Sequence, residues 1–128
     1  MAPITALYAG VLALLIVVLA GRVVAGRRSA AVSLGDGGSQ LLIQRIRVHG
    51  NAIENVPIGL LVMLVLELNH ASATLLHGLG IALTVGRLAH AQGLSTVPGR
   101  SVGRLVGTAI SWAAIVWGAV ALIVGYFR

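Results

Sequence analysis

A polar stretch, Arg45-Ile-Arg-Val-His-Gly-Asn-Ala-Ile-Glu-Asn-Val-Pro57, is set directly against an apolar run that begins at Ile58. The charge-free segment there, Asn55 to Leu66, has only twelve residues. Crossing a hydrocarbon core of about 30 Å takes about 20 helical residues. A helix through this region therefore crosses only by drawing part of its polar stretch into the membrane. Ionisable groups at that depth face protein or water rather than lipid, and by default they mark a working site. Helical spacing puts Arg47, Asn51 and Glu54 (i, i+4, i+7) on one face, expected to point into protein. Arg45 and His49 fall roughly opposite.

The rest of the chain supports a membrane reading. Of 128 residues, 58% are hydrophobic and 9% charged, and the mean hydropathy is +0.99. Soluble domains average about 25% charged residues. This length allows one helical domain over residues 1–128 and little else. There is no cysteine, so disulfides and thiolate metal sites are excluded. The net charge of +6 does not point to nucleic acid, because that needs a basic soluble face on a recognisable fold. Anionic lipid headgroups or an anionic small molecule fit better. The N-terminus has no basic region ahead of its apolar run, so the first segment is expected to be retained as a span.

Four helices are predicted, over about 4–26, 39–68, 73–91 and 100–126. The first is almost pure Val, Leu, Ile and Ala. Ser39 is placed to cap the second, in which Pro57 frees a carbonyl and predicts a bend. Gly99, Gly103 and Gly107 form overlapping small-xxx-small motifs that favour close approach of a neighbouring helix. Eight arginines, at positions 22, 27, 28, 45, 47, 87, 100 and 104, flank the first and third loops, and only Arg128 lies on the other side. That bias predicts cytoplasmic loops there and both termini outside.

This orientation gathers arginine-bearing segments at one end. They are Arg45–Glu54, then Arg87 with His90, then Arg100-Ser101 with Arg104, from which a polar stripe runs on to Thr108 and Ser111. Arginine donates up to five hydrogen bonds and keeps its proton, so such a cluster binds carboxylates or favours a thiolate. Arg22, Arg27 and Arg28 read as topology signals or headgroup contacts. Glu54 also suits a structural pair with a buried arginine. Glu67, His70 and His77 read as packing or turn residues near the outer end. His49 and His90 lack the spacing or the carboxylates of a metal centre, and none is expected.

These residues resemble a known family. Arg47-Val-His-Gly-Asn-Ala-Ile-Glu-Asn-Val-Pro57 is similar to the second-helix signature of the MAPEG family, the membrane-associated proteins in eicosanoid and glutathione metabolism. Gly86-Arg-Leu-Ala-His90 resembles the end of that family's third helix, and Pro98-Gly-Arg-Ser101 the entry to its fourth. The match covers nearly the whole chain, and the small size looks like a bacterial branch. The resemblance implies a homotrimer of all-α four-helix subunits in the bacterial inner membrane. Glutathione, as cosubstrate, would lie between subunits near the cytoplasmic face. Arg47, Asn51 and Glu54 would hold its backbone and ends, with Arg87, His90 and Arg104 lining the pocket. Arg100 and Ser101 would sit by the sulfur as the catalytic pair. The implied activity is that of a glutathione transferase or peroxidase acting on lipophilic electrophiles that enter from the bilayer. The chain departs from the family at Gln92, Leu94 and Arg104, in neighbourhoods where tyrosines are common. Two other readings stand beside it. One is a non-catalytic trimeric membrane protein that binds an anionic lipid or thiol; the other, a small transporter subunit, ranks last because no broken-helix pair is present.

Overall fold

Proline fits the first turn of a helix, where its missing N–H would have no partner, and Pro3 opens the first helix in that way. The computed structural model describes residues 1–96 and 102–127. It contains α1 (Pro3–Ser29), α2 (Gln40–Leu68), α3 (Ala73–Thr96) and α4 (Val102–Tyr126), with no strand among the described residues. Ser39 caps α2, its hydroxyl accepting from the Leu42 amide at 3.4 Å. Pro57 lies within α2 without interrupting it. Between α2 and α3 the chain reverses in four residues. His70 takes a left-handed φ of 60°, the Asn69 side-chain Nδ2 donates back to the Val65 carbonyl at 2.7 Å, and the Ser72 hydroxyl accepts from Leu75 N at 3.3 Å.

Among the described residues three helices, α1, α2 and α4, are long and apolar enough to cross a membrane. The third, with 24 residues, has the length but not the hydropathy, since it carries Arg87, two histidines, Gln92 and several glycines. Its polar groups are tolerated because it is packed against all three other helices. Among the described residues α1 and α4 do not touch, so α2 and α3 form the central pair and the other two flank them. The arrangement is an all-α membrane bundle.

Small residues set the helix separations. At Gly86 and Gly107 the α3 and α4 backbones meet; a Cβ on Gly107 would lie 2.5 Å from Gly86 O and from His90 N. One turn earlier on α4, Gly103 rests against Gly93 and the Ala89 carbonyl, at 3.1 and 3.2 Å from its would-be Cβ. The small-xxx-small spacing of Gly103 and Gly107 is therefore used inside the subunit, between α3 and α4. Gly99 lies outside the described residues. On the other flank, Tyr8 of α1 fills the space above Gly80 of α3, and its hydroxyl pairs with His77 Nδ1 at 3.0 Å.

The core follows these contacts in three apolar clusters. Leu19, Val48, Ala52 and Ala91 pack at the arginine end. Leu12, Val56 and Leu83 pack in the middle. Tyr8, Met63, Leu66, Leu76, Leu79 and Ala114 pack at the far end. The outward faces of α1 and α4 are apolar and exposed, from Leu7 to Val24 and from Leu105 to Val124, as a lipid-facing surface requires. A mostly apolar cleft of about 910 Å³ opens at the far end beside Leu66, Leu75, Trp117 and Tyr126. Among the described residues no charged side chain lines it.

Candidate functional site

Arg87 lies on α3 one residue after the Gly86–Gly107 contact, which draws its guanidinium between α2 and α4. It is only 2% exposed. Nε donates to Ser111 Oγ at 2.8 Å and Nη2 to the Gly107 carbonyl at 3.1 Å. Nη1 donates to Asn51 Oδ1 and reaches the Asn51 carbonyl at 3.5 Å. Ser111 Oγ in turn donates to Gly107 O at 2.9 Å. A buried cation costs least when its donors are all used, and here one side chain ties three helices together. The partner of Arg87 on α2 is Asn51 and not Glu54, which is exposed.

The network runs on toward the surface. Asn55 Nδ2 donates to the Asn51 carbonyl at 2.8 Å, and Trp112 Nε1 donates to Asn55 Oδ1 at 2.9 Å. Neither Asn55 nor Trp112 was expected in the site from the sequence. For Asn55 the signal was available, one helical turn beyond Asn51. For Trp112 there was none, because its reach to α2 depends on how the helices pack.

Arg47, Asn51 and Glu54 do share one face of α2, but within the subunit that face is open. Arg47 and Glu54 are exposed and Asn51 is half-buried. The same strip continues through Ile58, Leu61 and Leu68, all exposed. The expectation that all three point into protein is not met inside a single subunit, where α1, α3 and α4 occupy the other sides of α2. At about 1.5 Å per residue, Glu54 sits about 10 Å deeper along the helix than Arg47. Arg45 is turned away from this face. It lies over Gly26 of α1 and donates to the Arg22 carbonyl at 3.3 Å.

The other expected residues divide into two groups. His90 is buried at 5% exposure, with its backbone against Gly107, so it belongs to the α3–α4 seam. Arg104 is half-buried on α4, and its carbonyl accepts from Thr108 Oγ1 at 2.9 Å. Arg100 and Ser101 lie outside the described residues. The structure thus brings Arg87, Asn51 and Ser111 together, with His90 in the adjoining seam, and leaves Arg47 and Glu54 on the rim. At the far end Glu67 is engaged in capping α1, with Oε1 accepting from Ile4 N at 2.8 Å and Oε2 from Thr5 N at 2.7 Å.

A bundle of long apolar helices holding an arginine-centred polar network beside an open charged face is a small polytopic membrane protein. The sequence profile of the MAPEG family matches residues 5–124, and the chain belongs to that family. It is a small bacterial-type member. It is 43% identical over 90 residues to Inner membrane protein YecN of Escherichia coli strain K12, an alignment covering 70% of this chain and 69% of that one. The protein of the same name from Escherichia coli O6:H1 matches equally, at 43% over 90 residues. No solved structure matches. The protein is an integral inner membrane protein, of a family associated with glutathione and eicosanoid metabolism. The relatives' name states a location and no reaction.

Proposed function

We propose that the protein binds glutathione between the subunits of a homotrimer, at the arginine-rich cytoplasmic end. There it directs the thiol, as thiolate, at lipophilic electrophiles or peroxides from the bilayer. The observation that carries this reading is the exposure of Arg47 and Glu54 on the open face of α2, beside the anchored Asn51. Charges at membrane depth require protein or water against them, not acyl chains. A second copy packed on the Ile58–Leu68 strip would cover the face and leave a polar chamber at its arginine end. Arg47 suits a carboxylate of the tripeptide and Glu54 its ammonium. The family resemblance implies that Arg100 and Ser101 would serve the sulfur. In a transferase step the sulfur lone pair forms the new S–C bond, and the leaving group departs with its electron pair.

The test uses purified protein in mild detergent. Expected results are a trimer by native mass measurement, glutathione binding by calorimetry, and conjugation of a lipophilic aryl halide above the uncatalysed rate. Binding without turnover favours the non-catalytic ligand-binding reading, to which the non-tyrosine residues Gln92, Leu94 and Arg104 also lean. A monomer that binds no glutathione overturns the proposal.

A further inference from the structure

We infer that Arg87 is a positioning residue: it holds the Asn51 side-chain amide so that the nitrogen, and not the oxygen, is presented to the ligand. The ligand's identity rests on the glutathione reading above, whereas the orientation rests on geometry alone. A guanidinium has five N–H donors and no acceptor. The Asn51 atom facing Nη1 is therefore Oδ1. The reverse orientation would set donor against donor beside a fixed positive charge. The Asn51 backbone carbonyl is also occupied, by Asn55 Nδ2 at 2.8 Å and by Arg87 Nη1 at 3.5 Å. What remains is the Asn51 side-chain nitrogen, which makes no hydrogen bond among the described residues. It belongs to a half-buried residue between Arg47 and Glu54, at the edge of the open face.

Arg87 has little freedom to turn away. Its Nε and Nη2 are held by Ser111 Oγ and Gly107 O at 2.8 and 3.1 Å. Ser111 gives its own proton to Gly107 O, so its oxygen faces Nε as an acceptor. The Gly86–Gly107 backbone contact prevents α3 from sliding past α4. The Asn51 position therefore reads an acceptor oxygen on the ligand, a carboxylate or an amide carbonyl. Arg87 acts on that ligand through Asn51 rather than by touching it.

Two readouts separate this from a merely structural role, namely the thermal midpoint without ligand and the affinity for glutathione. Asn51→Asp keeps an oxygen against Arg87 but removes the donors. Its midpoint should equal or exceed that of wild type, and its affinity should fall about tenfold or more. Asn51→Ala should lose both midpoint and affinity, which separates loss of the donor from the added charge of aspartate. Arg87→Lys, still only a donor, should bind within about threefold of wild type. Arg87→Gln, which donates and accepts, lets the amide turn and should bind about five- to tenfold more weakly. Equal affinities for Arg87→Lys and Arg87→Gln overturn the inference, as does wild-type binding by Asn51→Asp. If the wild type binds no glutathione, the functional reading falls, and the midpoints still decide the orientation. In that case a clear loss of midpoint in Asn51→Asp overturns it, and an unchanged or raised midpoint supports it.

Discussion

Glu67, at the end of α2, accepts the Thr5 amide at 2.7 Å, and with its other oxygen the Ile4 amide at 2.8 Å. One carboxylate thus serves two of the amides that α1 leaves without an intrahelical partner, at the positive end of the helix dipole. The contact is also long in sequence, joining the start of the first helix to the end of the second. Glu67→Ala should lower the thermal midpoint in detergent, with Glu67→Gln in between because it retains one acceptor. Accelerated amide exchange confined to the first turn of α1 is the accompanying sign. Glutathione affinity should not change, since the proposed site lies at the opposite end.

The α3–α4 seam admits no added atom at Gly107. A Cβ there would lie 2.5 Å from two backbone atoms, and backbone, unlike a flexible side-chain tip, does not give way. Gly107→Ala should cost about 1–3 kcal/mol, the usual range for overpacking a tight contact. Gly103→Ala, with its nearest contacts at 3.1 and 3.2 Å, should cost less. Gly10→Ala, with nothing within 4 Å, serves as the clash-free control and should match or slightly exceed wild type. Reversible unfolding in mixed micelles ranks the three.

Arg47 and Glu54 carry no packing role within the subunit, so their loss should spare the fold and harm the site. Arg47→Gln and Glu54→Gln should leave the helix content and the midpoint of the isolated subunit close to wild type. Glutathione affinity should fall about tenfold for each, near 1.4 kcal/mol. Calorimetry alongside circular dichroism reads both quantities. A large drop in midpoint for either variant, with affinity retained, would reassign that residue to the scaffold.

Trp112 ends the polar chain that begins at Ser111 and Arg87, through its 2.9 Å bond to Asn55. Interhelical hydrogen bonds in membranes average about 0.6 kcal/mol. Trp112→Phe should therefore cost under about 1 kcal/mol. Arg87→Met, which breaks four bonds and leaves Asn51 Oδ1 without its donor, should cost about 2–3 kcal/mol by the same measure. The contrast in unfolding midpoints tests whether the network is centred on the arginine.

Much of the architecture follows from the chain alone. Long apolar runs need a bilayer, and the turn at Asn69–Ser72 is written in short polar residues that cap and reverse helices. The spacing of Arg47, Asn51 and Glu54 places them on one face, because a helix fixes the angle between its own residues. The same regularity makes Gly103 and Gly107 a seam. Partners across helices are a different matter. That Arg87 meets Asn51 and not Glu54, that Glu67 caps α1, and that Trp112 reaches Asn55 all depend on how far each helix is rotated and shifted along its neighbour. Those offsets are decided by contacts such as Gly86 on Gly107 and Tyr8 on Gly80, where the absence of a side chain sets the distance. Spacing along one helix carries no information about the rotation of the next, so the face was legible in the sequence and the bonds across it came only with packing.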